Sequence, residues 1–278
     1  MGYTKRRLIA KIVITVLMAV FSIAMLLPFA WMLSASFKPD NQVFNVPIEW
    51  IPRTPTLSNY VKVWGSSVPF VTFFLNSTKV ALWNVIGEVV TSALAGYAFA
   101  KIRFRGREAI FWIYVATLVF PGQMMLIPRF VLFRLAGLYN THWTLILPGM
   151  FTAFGTFLLR QFFATIPEEL SEAARMDGAG HFTIFRDIIV PLSTSAFSAL
   201  IIFQFVSSWN EYEAPLVYLR SKELATIPLG LNYFRDENST SYGAIMAASV
   251  CSLIPIFAVF FTFQKQFVAG IATSGMKE

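Results

Sequence analysis

Uncharged apolar runs long enough to cross the roughly 30 Å hydrocarbon core of a bilayer recur along this chain. They fall at 12–37, 109–128, 136–159, 188–210 and 239–264, with one more at about 80–100 broken only by Glu88, and the spans they imply are about 12–37, 80–100, 109–128, 138–159, 192–212 and 243–264. Backbone N–H and C=O groups in lipid need partners inside the protein, and a continuous apolar run of this length meets that need as a helix. The expected fold is all-α: a polytopic membrane protein with six transmembrane helices, forming one domain over residues 1–278. A content of 56% hydrophobic and 13% charged residues excludes an ordinary soluble domain. No convincing small-residue cleavage site follows the first run, which therefore reads as a retained helix rather than a removed signal.

The net charge of +7 suggests nucleic acid, but its distribution argues against that partner. Lys5, Arg6, Arg7 and Lys11 precede the first run, and Lys101, Arg103, Arg105 and Arg107 crowd the short loop before the third. Arg160, Arg175, Arg186, Lys265 and Lys277 fall on the same side of the implied topology. The opposite loops are sparser in Lys and Arg. The positive-inside rule then places both termini and the loop 165–191 in the cytoplasm.

That loop is a polar island between apolar runs. Pro167 suits a helix start, Glu168 and Glu169 sit against the positive helix end, and Arg175 sits in the last turn. Gly178 supplies the left-handed residue that ends a helix. A second short helix from about His181 would carry Phe182, Phe185, Ile188 and Ile189 on one face. So charged a helix–turn–helix cannot lie in lipid, and it reads as a docking element at the membrane surface.

The spacing Glu172-Ala173-Ala174, three residues, Gly178, nine residues, Ile188, one residue, Val190-Pro191 resembles the "EAA" loop of ABC-importer permeases. One position departs: Val190 stands where the pattern usually has Leu. The resemblance implies a coupling helix seated in a cleft of a cytoplasmic ATPase, with Glu172, Ala173, Ala174, Asp177, Gly178, Ile188 and Pro191 as coupling residues. It further implies a second homologous permease, an ATPase dimer that carries ATP and Mg, and an extracytoplasmic solute-binding protein, all at the inner membrane of a prokaryote. Trp209-Asn210-Glu211, Ala95-Gly96-Tyr97-Ala98-Phe99-Ala100-Lys101 and Phe267-Val268-Ala269-Gly270 resemble the carbohydrate, maltose-type branch, which implies a sugar substrate.

Several residues are candidates for the path. Gln204, Ser207, Ser208 and Glu211 recur at helical spacing in the fifth run, with Trp209, Asn210 and Tyr212 near its outer end. For the two aromatics an interfacial belt is the competing reading. Phe120-Pro121-Gly122-Gln123 is either a broken helix that lines the path with Gln123 or an ordinary proline kink. Pro28, Pro148 and Pro255 read as plain kinks. Glu88 is costly at membrane depth and forms a polar stripe with Asn84 and Ser92, serving either packing or solute. In the outer loop, Leu229, Gly230, Leu231, Asn232, Tyr233 and Phe234 read as an apolar tip, flanked by Arg235-Asp236-Glu237, that reaches the binding protein; the resemblance implies this contact, and a solvated connector is the alternative.

Chemistry by the chain itself has no support. Gly270–Lys277 misses a phosphate-binding loop because its Lys comes one position late and no helix follows. His142 and His181 lack metal-ligand companions, and Ser193 and Ser195 lack a base and an acid. Cys251 is the single cysteine, so neither an intrachain disulfide nor a thiolate metal site can form. The rival from another class is an ion-coupled secondary transporter with Glu88 or Glu211 as the coupling carboxylate.

Overall fold

The computed structural model of the chain describes residues 2–65, 68–235 and 241–274. Asp236, Glu237 and Lys277 lie outside them. In chain order the helices are α1 (Gly2–Ser36), α2 (Ser58–Gly65), α3 (Phe70–Lys101), α4 (Arg107–Ala116), α5 (Leu126–Leu135), α6 (Trp143–Gly149) and α7 (Ala153–Ala164). There follow α8 (Glu168–Met176), α9 (His181–Ile184), α10 (Val190–Leu192), α11 (Thr194–Asn210), α12 (Glu213–Tyr218), α13 (Ile227–Gly230) and α14 (Tyr242–Ser274). The described residues contain no β-strand.

Four stretches are helical, long and apolar enough to cross a membrane: Arg6–Ser36, Phe70–Lys101, Trp143–Ala164 and Tyr242–Val268. Two more apolar segments are bent pairs, and counting each as one span brings the total to six. Arg107–Val119 and Gly122–Leu135 meet at 94°, a break at Phe120-Pro121 and not a proline kink. His181–Leu192 and Thr194–Asn210 meet at 77°. Pro121 has no N–H to donate and disfavours helical geometry at Phe120, whose ψ is 118°.

The chain divides into two compact units. The smaller takes in residues up to Phe70 together with Leu231–Leu253. In it α2 is tied to the end of α1: Asn59 Nδ2 donates to the carbonyls of Ser36 at 2.9 Å and Lys38 at 2.7 Å. Asp40 accepts from the Gly243 N–H at 2.8 Å and the Ser241 hydroxyl at 3.0 Å, so the start of α14 is fastened to the same loop. Ile14, Leu17 and Phe21 of α1 are each about 60% exposed, an apolar surface suited to lipid or a partner helix and not to water.

The larger unit, Val71–Gly230 with the chain from Ile254 onward, holds the features of functional interest. Its core joins Ala93 and Tyr97 of α3, Leu159 and Phe163 of α7, Ile184 and Ile189, and Ala196 and Leu200 of α11. Helix α7 begins anew after α6 because the bend at Met150–Thr152, with Thr152 extended, interrupts the ladder. The freed carbonyls find side-chain donors: Gln204 Nε2 to Gly149 O at 2.8 Å and Thr91 Oγ1 to Met150 O at 2.6 Å. A break at membrane depth is tolerable only with such partners. Pro148 itself lies within α6, one residue before that helix ends.

Candidate functional site

The loop 165–191 folds as the charge pattern predicts. Glu168 and Glu169 open α8, and Arg175 in its last turn reaches back to Glu168 at 3.3 Å. Gly178 is left-handed at φ +85°, and the N–H groups of Gly178 and Ala179 close the helix on the carbonyls of Arg175 and Ala174. Lys101, its side chain only 4% exposed, donates to Ile166 O at 2.6 Å and to Glu168 at 3.2 Å. In the sequence this lysine reads as a topology signal. Its position shows it to be the pin that holds α8 to the end of α3. The Tyr97 hydroxyl lies 3.4 Å from His181 Nδ1 and adds a second tie.

The second half of the loop departs from expectation. Phe185–Ile189 is a π-helical turn, which adds a residue per turn and rotates the face. Ile184 and Ile189 are buried in the core while Phe182 is 67% exposed, so the predicted stripe of Phe182, Phe185, Ile188 and Ile189 is split. Phe185 and Ile188 pack half-buried against the core, as does Ala174. Glu172, Ala173, Asp177, Gly178 and Pro191 are exposed. Beside them Leu170 is 44% and Met176 88% exposed, an apolar patch on an otherwise charged helix.

A polar cavity of about 220 Å³ lies elsewhere in the same unit. Val80 and Asn84 of α3 line one wall, and Thr144, Pro148 and Gly149 of α6 line another. Gln204, Ser207 and Ser208 of α11, with Glu211 just past its end, form a third, and Tyr218, Arg129 and Thr226 lie around them. The polar stripe predicted on the fifth apolar run thus faces a cavity. Asn84 Nδ2 donates to Ser208 Oγ at 2.9 Å, and Gly149 makes room, since a Cβ there would meet the Asn84 amide. Glu211 accepts from the Ala214 N–H at 3.0 Å and so begins α12.

Other candidates lie apart from the cavity. Trp209 is 1% exposed, stacked on Phe205 and edge-on to Phe74, so it is packing rather than path lining or interfacial belt. Its neighbours turned inward because α11 presents its polar stripe to the cavity and its Trp209 face to α3. Asn210 is exposed and returns its amide to Val206 O at 2.9 Å, and Gln123 is exposed in the turn Gly122–Met125; neither lines the cavity. Glu88 is buried one turn along from Asn84 and accepts from the Thr152 hydroxyl, which itself accepts the Gly155 N–H at 3.1 Å. The stripe Asn84–Glu88–Ser92 therefore packs on the α6–α7 break.

The apolar tip expected at Leu229–Phe234 is not exposed as such. Leu229 and Phe234 are 8% and 7% exposed; Gly230 is pressed against Phe73, and Phe234 meets Phe70 within the smaller unit. Only Asn232 and Tyr233 are exposed. Phe73 and Phe70 pack on Gly230 and Phe234 from a helix distant in sequence, which the linear sequence cannot reveal. His142 sits between Lys79 Nζ at 3.0 Å and Leu224 O at 2.9 Å, a structural link.

Apolar spans, two of them bent pairs, and a polar cavity lined from three helices are features suited to a membrane transport subunit. Residues 89–273 match the family described as "Binding-protein-dependent transport system inner membrane component", and the chain belongs to it. The permease protein AraQ of the arabinooligosaccharides transport system of Halalkalibacterium halodurans is 33% identical over 252 residues, covering 90% of each chain. UgpE, the sn-glycerol-3-phosphate transport system permease protein of Salmonella typhi, is 34% identical over 265 residues, 92% of this chain and 94% of that one. A chain of a bacterial ABC transporter involved in import of the acidic polysaccharide alginate superposes with a TM-score of 0.82 at 27% identity, covering 93% of this chain and 96% of that one. The chain is thus a permease component of an ABC importer and not an enzyme, which sets aside the ion-coupled rival.

Proposed function

We propose that this permease carries an uncharged sugar across the cytoplasmic membrane and takes its energy from partner ATPases through the loop 165–191. The observation that carries the coupling assignment is the exposed patch of Leu170 and Met176 beside Glu172, Ala173 and Gly178, on a helix pinned to the core by Lys101. Apolar side chains on a charged surface helix are unfavourable in water and gain free energy when a partner covers them. Rigid attachment lets a push on α8 reach α3, α7 and α11 without being absorbed in the loop. Ile188 and Ala174 serve as its inner seat, and Pro191 as the start of the return into α11.

In this reading ATP and Mg are held by the ATPase dimer, and a second homologous permease completes the path. A solute-binding protein delivers the sugar from outside, where Asn232 and Tyr233 are the accessible residues of the 229–234 segment. Both termini are cytoplasmic, and the chain acts as one transmembrane domain in six passes, each bent pair counting as one. Gln204, Ser208 and Glu211 line the path. The sugar class is supported by the arabinooligosaccharide relative and by the hydroxyl-matching lining. The coupling assignment is tested with the double variant Leu170→Glu, Met176→Glu. The folded permease should lose co-purification with its ATPase by at least about thirtyfold in affinity, as expected when central apolar anchors go. Retained co-purification and transport would refute the docking role.

A further inference from the structure

Two of the polar atoms around the cavity have no partner among the described residues, although both are buried. Asn84 is 5% exposed and its Oδ1 accepts nothing; Thr226 is 4% exposed and its Oγ1 is equally unpartnered. Both residues line the same cavity. Leaving a buried polar atom unpaired carries the cost of its desolvation, so two such atoms on residues that line one cavity ask for a ligand, water or solute, to complete them. Neither atom is loose: Asn84 is held by Ser208 through its amide nitrogen, and Thr226 is fixed by its own carbonyl, which accepts the Gly230 N–H at 2.7 Å.

The remaining lining narrows the chemistry. Val80, Leu145 and Pro148 offer apolar surface, and Gln204, Ser207 and Ser208 alternate donors with acceptors beside it. Polar side chains beside apolar patches suit a sugar, whose hydroxyls lie at the edge of a C–H face. Gln204 to Glu211 spans roughly 10 Å at about 1.5 Å per residue. The volume of about 220 Å³ falls below the range of roughly 300–1,000 Å³ typical of drug-sized ligand pockets, so a single ring fits and a chain does not. The lining carries one cation, Arg129, and one anion, Glu211, which offset each other and leave no net attraction for a phosphate or uronate.

We infer that this cavity is a solute subsite carried by this chain itself, taking one uncharged, hydroxyl-bearing ring of the transported solute with Asn84 Oδ1 and Thr226 Oγ1 as partners of its hydroxyls. The inference rests on the sugar-import reading above and makes this subunit a direct contributor to substrate selection. Asn84 and Thr226 come together from α3 and from the segment before α13, which no local spacing links.

The test uses the complete importer in proteoliposomes, with radiolabelled arabinotriose and sn-glycerol 3-phosphate as probes. Thr226→Val keeps the side-chain shape and removes only the unpartnered hydroxyl. The complex should assemble with an unchanged or higher melting temperature, while arabinotriose uptake at saturating binding protein falls roughly five- to tenfold. Thr226→Ser should restore uptake, which a merely structural role would not require. If Thr226→Val fails to assemble, Ser208→Ala supplies the same readout from the opposite wall. Wild-type arabinotriose uptake by the assembled variant would overturn the subsite and leave sugar import standing. Uptake of glycerol phosphate without arabinotriose by the wild-type importer would overturn the uncharged-ring assignment. Uptake of neither, with the ATPase docked, would overturn the sugar reading and the subsite with it.

Discussion

The loop 165–191 and the polar cavity break opposite rules of protein surfaces. In the loop the charges are solvated or paired, as Glu168 is with Lys101 and Arg175, and the anomaly is apolar: Leu170, Met176 and Phe182 stand exposed. In the cavity the apolar groups are packed and the anomaly is polar: Asn84 and Thr226 are buried with atoms unpaired. Each arrangement is unfavourable in isolation and is relieved by a different kind of partner, a protein surface for the first and a hydroxyl-bearing solute for the second. Exposure of the wrong chemistry marks a macromolecular contact, and burial of unmet hydrogen bonds marks a small-molecule one.

Two glycines, one at the α6–α7 seam and one in the loop, sharpen the contrast, because they are required for different reasons. At Gly155 a Cβ would be forced into the Glu88 carboxylate and the Ser92 hydroxyl, so the requirement is space. Gly155→Ala should therefore destabilise the permease by about 1–3 kcal/mol through overpacking at the α6–α7 break. The measurement is the melting temperature of the purified complex, and an unchanged value would show that the stripe on α3 is not tightly packed. At Gly178 nothing lies within 4 Å of an added Cβ, and the requirement is the backbone conformation at φ +85°. Gly178→Val should cost about 1–2 kcal/mol, confined to the end of α8. The expected readout is lost coupling between ATP hydrolysis and uptake, with the transmembrane helices intact by proteolysis. Tight coupling retained by this variant would detach the turn from the proposed mechanism.

How far each region could be read from sequence follows from the same distinction. The loop was legible because its requirements are local: Glu168 and Glu169 at a helix start, Arg175 at its end, and Gly178 where a left-handed residue is needed. What failed there was the facing of Phe182, since a π turn at 185–189 changes the period on which the face was counted. The polar stripe of α11 was legible from helical spacing, but its membership was not. Trp209 lies next to Ser208 in sequence and on another face in space, against Phe74 and Phe205. The break at Met150–Thr152 falls in an apolar run with no charge to flag it, and its cost is met by Gln204 and Thr91 from other helices. Thr226 sits in a loop whose apolar residues suggested a protruding tip. Nothing near it in sequence announces that its hydroxyl is buried against Asn84's cavity.

The smallest expected effect separates a functional orphan from an incidental one. Ser92 is fully buried and its Oγ has no partner among the described residues, as is true of Thr226. It differs in place: Ser92 faces Gly155 at the packed seam and does not line the cavity. If unpaired burial alone marked a solute contact, both hydroxyls should matter to transport. If the cavity is what matters, only Thr226 should. Ser92→Ala removes an unsatisfied hydroxyl and relieves the approach to Gly155, leaving a methyl in the seam. A stability gain of up to about 1 kcal/mol is expected, from the desolvation no longer incurred. Uptake of arabinotriose should match wild type, in contrast to the fall expected for Thr226→Val. A matching fall for Ser92→Ala would show that the seam, and not the cavity, controls transport. The two threads of the α3 stripe would then have to be assigned the other way round, with Glu88 and Ser92 toward solute and Asn84 toward packing.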